Sequence, residues 1–231
     1  MKSSLSDQAY EMIKAEIITC VLEPGQQIAQ SQLVERYQVG TTPIREALQR
    51  LAQEGFVQPI PRFGYIVSPI TFSDVHEIYE LRSILESAAA RLAAIRGTDR
   101  QLQEIAKPAD FTYVYKDRRS YSDFLTRNAD FHRSIAIAAG NRRLADQISK
   151  LLDEMTRIFH LGLDLRDSAE EMRDEHLTLV KALGDRDPER AEQLVQSQIA
   201  RSQQRVLEAL THRFGVLGQA IQVTPTDLSQ R

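Results

Sequence analysis

The chain has 231 residues, 42% of them hydrophobic and 26% charged, with a formal net charge of -3. That composition belongs to a folded chain of one or two domains and excludes a disordered one. No apolar run approaches the roughly 18 residues of a membrane span. The N-terminus is too polar for a secretory signal. The single cysteine, Cys20, excludes an intrachain disulfide, so a reduced, cytoplasmic setting is expected.

Leu5 to Val21 reads as a first helix, with Ala9, Met12, Ile13, Ile17 and Cys20 inward, and Glu23-Pro24-Gly25 breaks it. Ala29 to Tyr37 reads as a short second helix that packs through Leu33 and Val34 and turns Ser31 or Gln32 outward. Thr41 or Thr42 can then cap a third helix with Pro43 at its first position. Ile44, Ala47, Leu48 and Leu51 give that helix one apolar face, and Gly55 ends it. Phe56 to Ile60 and Tyr65 to Ile70 read as strands joined by the turn Pro61-Arg62-Phe63-Gly64. Arg45, Gln49 and Gln53 face away from the apolar side.

A helix with one apolar and one hydrogen-bonding side, followed by a hairpin tipped by arginine, is how a winged helix meets DNA. The same pattern also describes an ordinary amphipathic helix leading into a hairpin. The net charge argues mildly against nucleic acid, since the first 70 residues hold six Lys and Arg against seven Asp and Glu. Their positive charge is local, at Arg45, Arg50 and Arg62. Specificity is therefore expected to rest on base contacts and on a dimer.

From residue 71 the pattern is helical. Thr71 or Ser73 can cap a helix from Asp74 to Arg96, whose stripe is Val75, Ile78, Leu81, Leu85, Ala88, Leu92 and Ile95. A short helix follows over Arg100 to Lys107, and Pro108 to Tyr121 reads as a loop or partly extended segment. Further helices are expected over Ser122 to Ala139, Asn141 to Asp164, Ser168 to Leu183, and from an Asp187 cap with Pro188 at the first position to Phe214. The organisation predicted is mainly α: a winged helix-turn-helix domain over 1–70, an all-α helical bundle of about six helices over 71–217, and a mobile tail over 218–231.

The stretch T-P-I-R-E-A-L at Thr42 to Leu48 resembles the start of the recognition helix in the GntR family of bacterial transcription regulators. L-E-P-G-Q-Q-I at Leu22 to Ile28 and L-V-E-R-Y-Q-V at Leu33 to Val39 are similar to that family's first turn and second helix. Gly40-Thr41 stands where the family usually carries a serine and a basic residue, and Ser31 where it often has arginine. The resemblance implies a DNA face built from Ser31, Gln32, Thr41, Thr42, Pro43, Arg45, Gln49, Arg50, Arg62 and Gly64. Residues 78–94, 131–141 and 175–187 resemble segments of the FCD ligand-binding domain of the FadR-like branch, in its shorter, six-helix, VanR-like type.

His132 and His176 lie on inward faces of separate helices. An inward histidine is more often a hydrogen-bonded core residue than a ligand, but two in one bundle are what a divalent metal needs. The resemblance implies a metal site of one aspartate and three histidines, which falls here on Asn128, His132, His176 and Gln198. Asn and Gln replace the anionic ligand and one nitrogen ligand, so tight binding of Zn, Ni or Mn is disfavoured. Asp130 is two residues off the required face. The same four polar groups are expected to floor an apolar effector cavity. The family also points an arginine at an effector carboxylate from the position of Arg82, although Arg82 could equally pair with Glu86 on the surface. Asn141 stands at the cavity edge, where helix capping alone would explain it.

The resemblance therefore implies a homodimeric transcription regulator, a repressor, that binds double-stranded DNA at an inverted repeat. A small organic acid, alone or together with a divalent metal, would modulate it. A sensor of the metal ion itself is the alternative. A metal-dependent enzyme is remote, because no P-loop, G-x-S-x-G or H-E-x-x-H motif is present.

Overall fold

A capping box opens the first helix, α1 (Leu5–Ile18): the Ser4 hydroxyl accepts from the Asp7 N–H at 3.0 Å and Asp7 accepts from the Ser4 N–H at 3.3 Å. The computed structural model describes residues 4–161 and 167–214. The expected mobile tail and the end of the helix predicted to reach Asp164 lie outside the described residues. The chain divides into two compact units between Phe72 and Ser73.

In the first unit, α1 is followed by β1 (Gln27–Ile28), α2 (Gln30–Tyr37), α3 (Thr41–Gln53), β2 (Val57–Ile60) and β3 (Gly64–Val67). α1 stops short of Val21, and Cys20 beyond its end takes a left-handed φ of 54° and is partly exposed rather than inward. The sheet order is β1-β3-β2, antiparallel throughout, with Ile28 opposite Tyr65 and Val57 opposite Val67. β1 was not predicted, because two residues carry no periodicity. β2 is an edge strand, which tolerates the missing donor of Pro59.

α3 begins earlier than predicted. Gly40 is its N-cap, so Thr41 and Thr42 are helical and Pro43 is the third residue. The first four N–H groups of a helix have no intrahelical partner, so proline is harmless there too. Ile44, Ala47, Leu48 and Leu51 are fully buried and join Ile13 and Ile17 of α1, Ile28 of β1 and Leu33 of α2 in one core. Burying each large side chain contributes about 1.5–3 kcal/mol, which binds α3 to a scaffold of opposite faces.

The second unit contains α4 (Phe72–Arg96), α5 (Asp99–Ala106), α6 (Arg118–Ala138), α7 (Arg142–Leu161), α8 (Ala169–Gly184) and α9 (Pro188–Phe214). α6 starts four residues before the predicted Ser122, because the Asp117 side chain accepts from the Ser120 N–H at 2.9 Å and caps it. The Asp187 carboxylate likewise caps α9 through the Arg190 N–H at 2.9 Å, one residue before Pro188.

Before α6 the chain is extended. Phe111 and Tyr113 are buried while Thr112 and Val114 are exposed, so the strand-like composition reflects alternation without strand pairing. The inward face of α4 also differs from the predicted stripe. Leu81 and Ile95 are about half exposed, at 48% and 55%, and the buried face carries Tyr79, Arg82, Glu86, Ala89, Ala90 and Ala93. The reason is close approach: Ala89 packs in one cluster with Ala129, Ala136 and Ala139 of the α6 region and with Ile148 and Leu152 of α7.

Gly64 pins the hairpin to β1. Its φ is +95°, and a Cβ there would lie 2.5 Å from the Ile28 carbonyl oxygen. Gly64→Ala is expected to destabilise the first unit by more than the about 1–2 kcal/mol of the left-handed conformation alone, read as a lower denaturation midpoint for that unit in urea unfolding.

Candidate functional site

The exposed side of α3 is set by its buried one. With Ile44, Ala47, Leu48 and Leu51 inward, Thr42, Arg45, Gln49 and Gln53 are all exposed. Arg45 has no hydrogen-bonding or ion-pair partner among the described residues, and the same holds for Arg62 at the hairpin tip. Ser31 is exposed on α2, as is Thr41 at the start of α3, whereas Pro43 and Gly64 are half-buried. Gln32 is exposed, but its side chain accepts from the Ala29 N–H at 3.2 Å and serves α2 itself.

Arg50 departs from its expected role on the DNA face. It lies on the flank of α3 toward α1, where its Nη1 donates to Asp7 at 2.8 Å and its guanidinium stacks 4.0 Å from the Tyr10 ring centroid. Tyr10 in turn donates to the Glu54 carboxylate at 2.8 Å. Arg50 therefore ties α3 to α1, and the sequence could not show this because Asp7 is 43 residues away.

In the second unit four expected residues are buried: Asn128 and His132 on α6, His176 on α8 and Gln198 on α9. The rings of His132 and His176 lie 5.7 Å apart. His176 is enclosed by Phe111 at 4.8 Å and Phe131 at 4.6 Å. Among the described residues, neither of its ring nitrogens has a hydrogen-bond partner, nor does the Asn128 Oδ1. Burial, with the neighbouring His132 ring adding to it, pushes the His176 pKa down from 6.5 to about 3.

The residue that organises this cluster is Glu86 of α4, which the sequence suggested only as a surface partner of Arg82. Both are buried. Arg82 Nε donates to Glu86 Oε1 at 2.6 Å, and His132 Nδ1 lies 2.9 Å from Glu86 Oε2. Burial alone would raise the Glu86 carboxyl, but the Arg82 guanidinium and then His132 outweigh it and hold the group at about 2. Arg82 is thus committed to a carboxylate of its own chain, although its Nη1 has no hydrogen-bond partner among the described residues.

The void lined by Glu86, Ala89, His132, Ile135, Ile148 and Val195 is about 10 Å³, room for one water and not the spacious cavity expected at this place. Asn141 is exposed and its Oδ1 accepts from the Leu144 N–H at 3.2 Å, so it caps α7. Asp130 is exposed on α6 and pairs with Arg133.

These residues do not fit a divalent metal ion. The orientation of His132 toward Glu86 suits ligation, but two of the other three candidates, Asn128 and Gln198, are neutral amides, and His176 is the only further imidazole among the four. The one nearby carboxylate is already balanced by Arg82, so a buried doubly charged ion would have no charge to offset it. Among the described residues no group of three or more His, Cys, Asp or Glu side chains is placed to hold a metal.

A depressed histidine pKa has a definite sign. Below 6.5 the unfolded chain binds a proton that folded His176 refuses until about pH 3, so stability falls as pH drops through that window. His176→Phe, which keeps an aromatic ring between Phe111 and Phe131, is expected to flatten the pH dependence of unfolding free energy between about 6.5 and 3. Denaturant titrations at several pH values would measure this.

Residues 5–67 match the family described as bacterial regulatory proteins, gntR family, and residues 77–201 match the FCD domain. The chain is 26% identical over 188 residues to the HTH-type transcriptional repressor RspR of Escherichia coli K12, covering 81% of this chain and 82% of that one. It is 28% identical over 235 residues to a probable D-xylose utilization operon transcriptional repressor of Paenarthrobacter nicotinovorans, covering 96% of each. Among solved structures, E. coli McbR/YncC aligns with a TM-score of 0.74 at 21% identity over 90% of this chain and 99% of that one, a likeness of fold. No described helix is long and apolar enough to cross a membrane. The chain belongs to the GntR family and is a DNA-binding transcription regulator, with a helix-turn-helix domain followed by an FCD domain.

Proposed function

We propose that two copies of this chain bind an inverted repeat as a repressor, and that a small organic acid bound in the helical unit controls the affinity. α3 enters the major groove with Thr42, Arg45 and Gln49 toward base edges, while Ser31 and Arg62 meet phosphate. The observation that carries the DNA reading is the pair of exposed cations, Arg45 and Arg62, that have no partner among the described residues, in a unit whose other described cations, Lys14, Arg36 and Arg50, are ion-paired within the fold. Homodimerisation is supported by Leu81, Ile84 and Ile95, which are exposed on one helix, α4. Two-fold symmetry in the protein would then match two-fold symmetry in the operator.

The ligand reading rests on polar groups buried without hydrogen-bond partners among the described residues: Arg82 Nη1, Asn128 Oδ1 and both nitrogens of His176. Such groups cost about 1–3 kcal/mol each when left unmet, and a carboxylic acid could satisfy the guanidinium and the imidazole together. The small void beside His132 means that the bound form must open relative to this one. Ligand binding would therefore select a different arrangement of the unit, which is the differential affinity that regulation needs. The site works without a metal in this reading.

DNase footprinting on duplexes selected from a random pool by the full-length chain tests the DNA reading. Two protected half-sites are expected, and Arg45→Ala should weaken binding by about 1–3 kcal/mol. No selected sequence at any salt would overturn it. Calorimetry with zinc, nickel and manganese tests the metal-free reading. No tight binding is expected for the native chain, and Asn128→Asp combined with Gln198→His should create it by restoring an anion and an imidazole.

A further inference from the structure

The hairpin tip carries two features that a hairpin does not need. The Phe63 N–H donates to the Ile60 carbonyl at 3.1 Å, closing a tight turn with Pro61 and Arg62 at its centre. Arg62 has a φ of +70°, a conformation that glycine or asparagine adopts at lower cost at this place in a turn. Phe63 is 68% exposed, more than Leu81, Ile84 or Ile95 on α4. Gly or Asn in place of Arg62 would serve the turn better than a strained cation followed by a solvated aromatic ring.

The tip is also held rigid. Gly64 sits against the Ile28 carbonyl with no room for a side chain. At the base of the hairpin, the Val67 N–H donates to Gln26 and the Gly25 N–H donates to Val67, each at 2.9 Å. Phe63 is thus presented outward on a braced support, beside a cation with no partner among the described residues. The surface of a duplex offers phosphate for the cation and the open edge of a base step for the ring. Apolar side chains that enter the minor groove act in this way, partly unstacking one step.

We propose that Phe63 is an apolar wedge that enters the minor groove beside the half-site read by α3, and so makes the operator sensitive to the deformability of a step that no side chain hydrogen-bonds. The inference rests on the DNA reading above and adds a specificity-determining residue to it. Flexible pyrimidine–purine steps would be preferred at that position.

The test uses the full-length chain and a duplex that it has selected from a random pool, with 2-aminopurine substituted in turn at each adenine flanking the half-sites. Fluorescence is expected to rise at one step per half-site on binding. Phe63→Ala should abolish the rise and weaken binding about tenfold or more, as loss of a stacked aromatic does, while Phe63→Leu retains part of both. The thermal midpoint of Phe63→Ala should match that of the parent, since the ring is exposed. A flat fluorescence profile in the parent, or a Phe63→Ala affinity within about twofold of it, overturns the wedge. If Arg45→Ala still weakens binding in that case, the DNA reading stands and only the role of Phe63 fails.

Discussion

One carboxylate, removed from water between a guanidinium and an imidazole, governs what the helical unit can hold. Glu86 is ionised in the core only because Arg82 is one helical turn away and His132 lies across from it. Breaking such a buried pair from one side is far more costly than losing a surface ion pair, about 3–5 kcal/mol against less than 1. The pair therefore behaves as part of the scaffold. It sets the charge of the site near neutral and leaves His132 oriented. Among the described residues, the unmet hydrogen-bonding capacity of the site includes Arg82 Nη1, Asn128 Oδ1 and both ring nitrogens of His176. A metal ion would add two charges to a place that has already been balanced, whereas an acid would bring its own anion to a spare donor.

The first unit solves a different problem, which is to hold cations without making the domain basic. Six Lys and Arg stand against seven Asp and Glu over the first 70 residues. Intramolecular pairing removes Arg36 and Arg50 from availability through Glu16 and Asp7. What remains both exposed and unpaired among the described residues is a small set placed by backbone geometry: Arg45 by the buried face of α3, and Arg62 by a left-handed turn residue. Low background charge limits sequence-independent attraction to DNA, so the base contacts carry a larger share of discrimination.

Much of this was legible before any coordinates. Helical periodicity, Gly55 and Pro188 located most elements to within a few residues, because capping and apolar spacing are local physics. β1 was invisible, being two residues long and stabilised by pairing with β3. The face of α4 was misjudged for a related reason. Large apolar residues dominate a sequence pattern, yet the real contact uses alanines, which let α4, the α6 region and α7 approach closely. Arg50 was read as a DNA contact because its partners Asp7 and Tyr10 are distant in the chain.

By itself, then, the sequence determined the order of the helices, the apolar side of α3, the family, and the identity of the four polar residues Asn128, His132, His176 and Gln198, since all of these depend on residue type and short spacing. Tertiary structure decided which of those residues are free to act. Arg45 is free and Arg50 is tied; Arg82 is shared with Glu86; Asn141 is spent on a cap; and the space beside His132 is the size of one water. Each of these outcomes turns on a partner or a packing distance supplied by the folded chain, which spacing along the sequence does not encode.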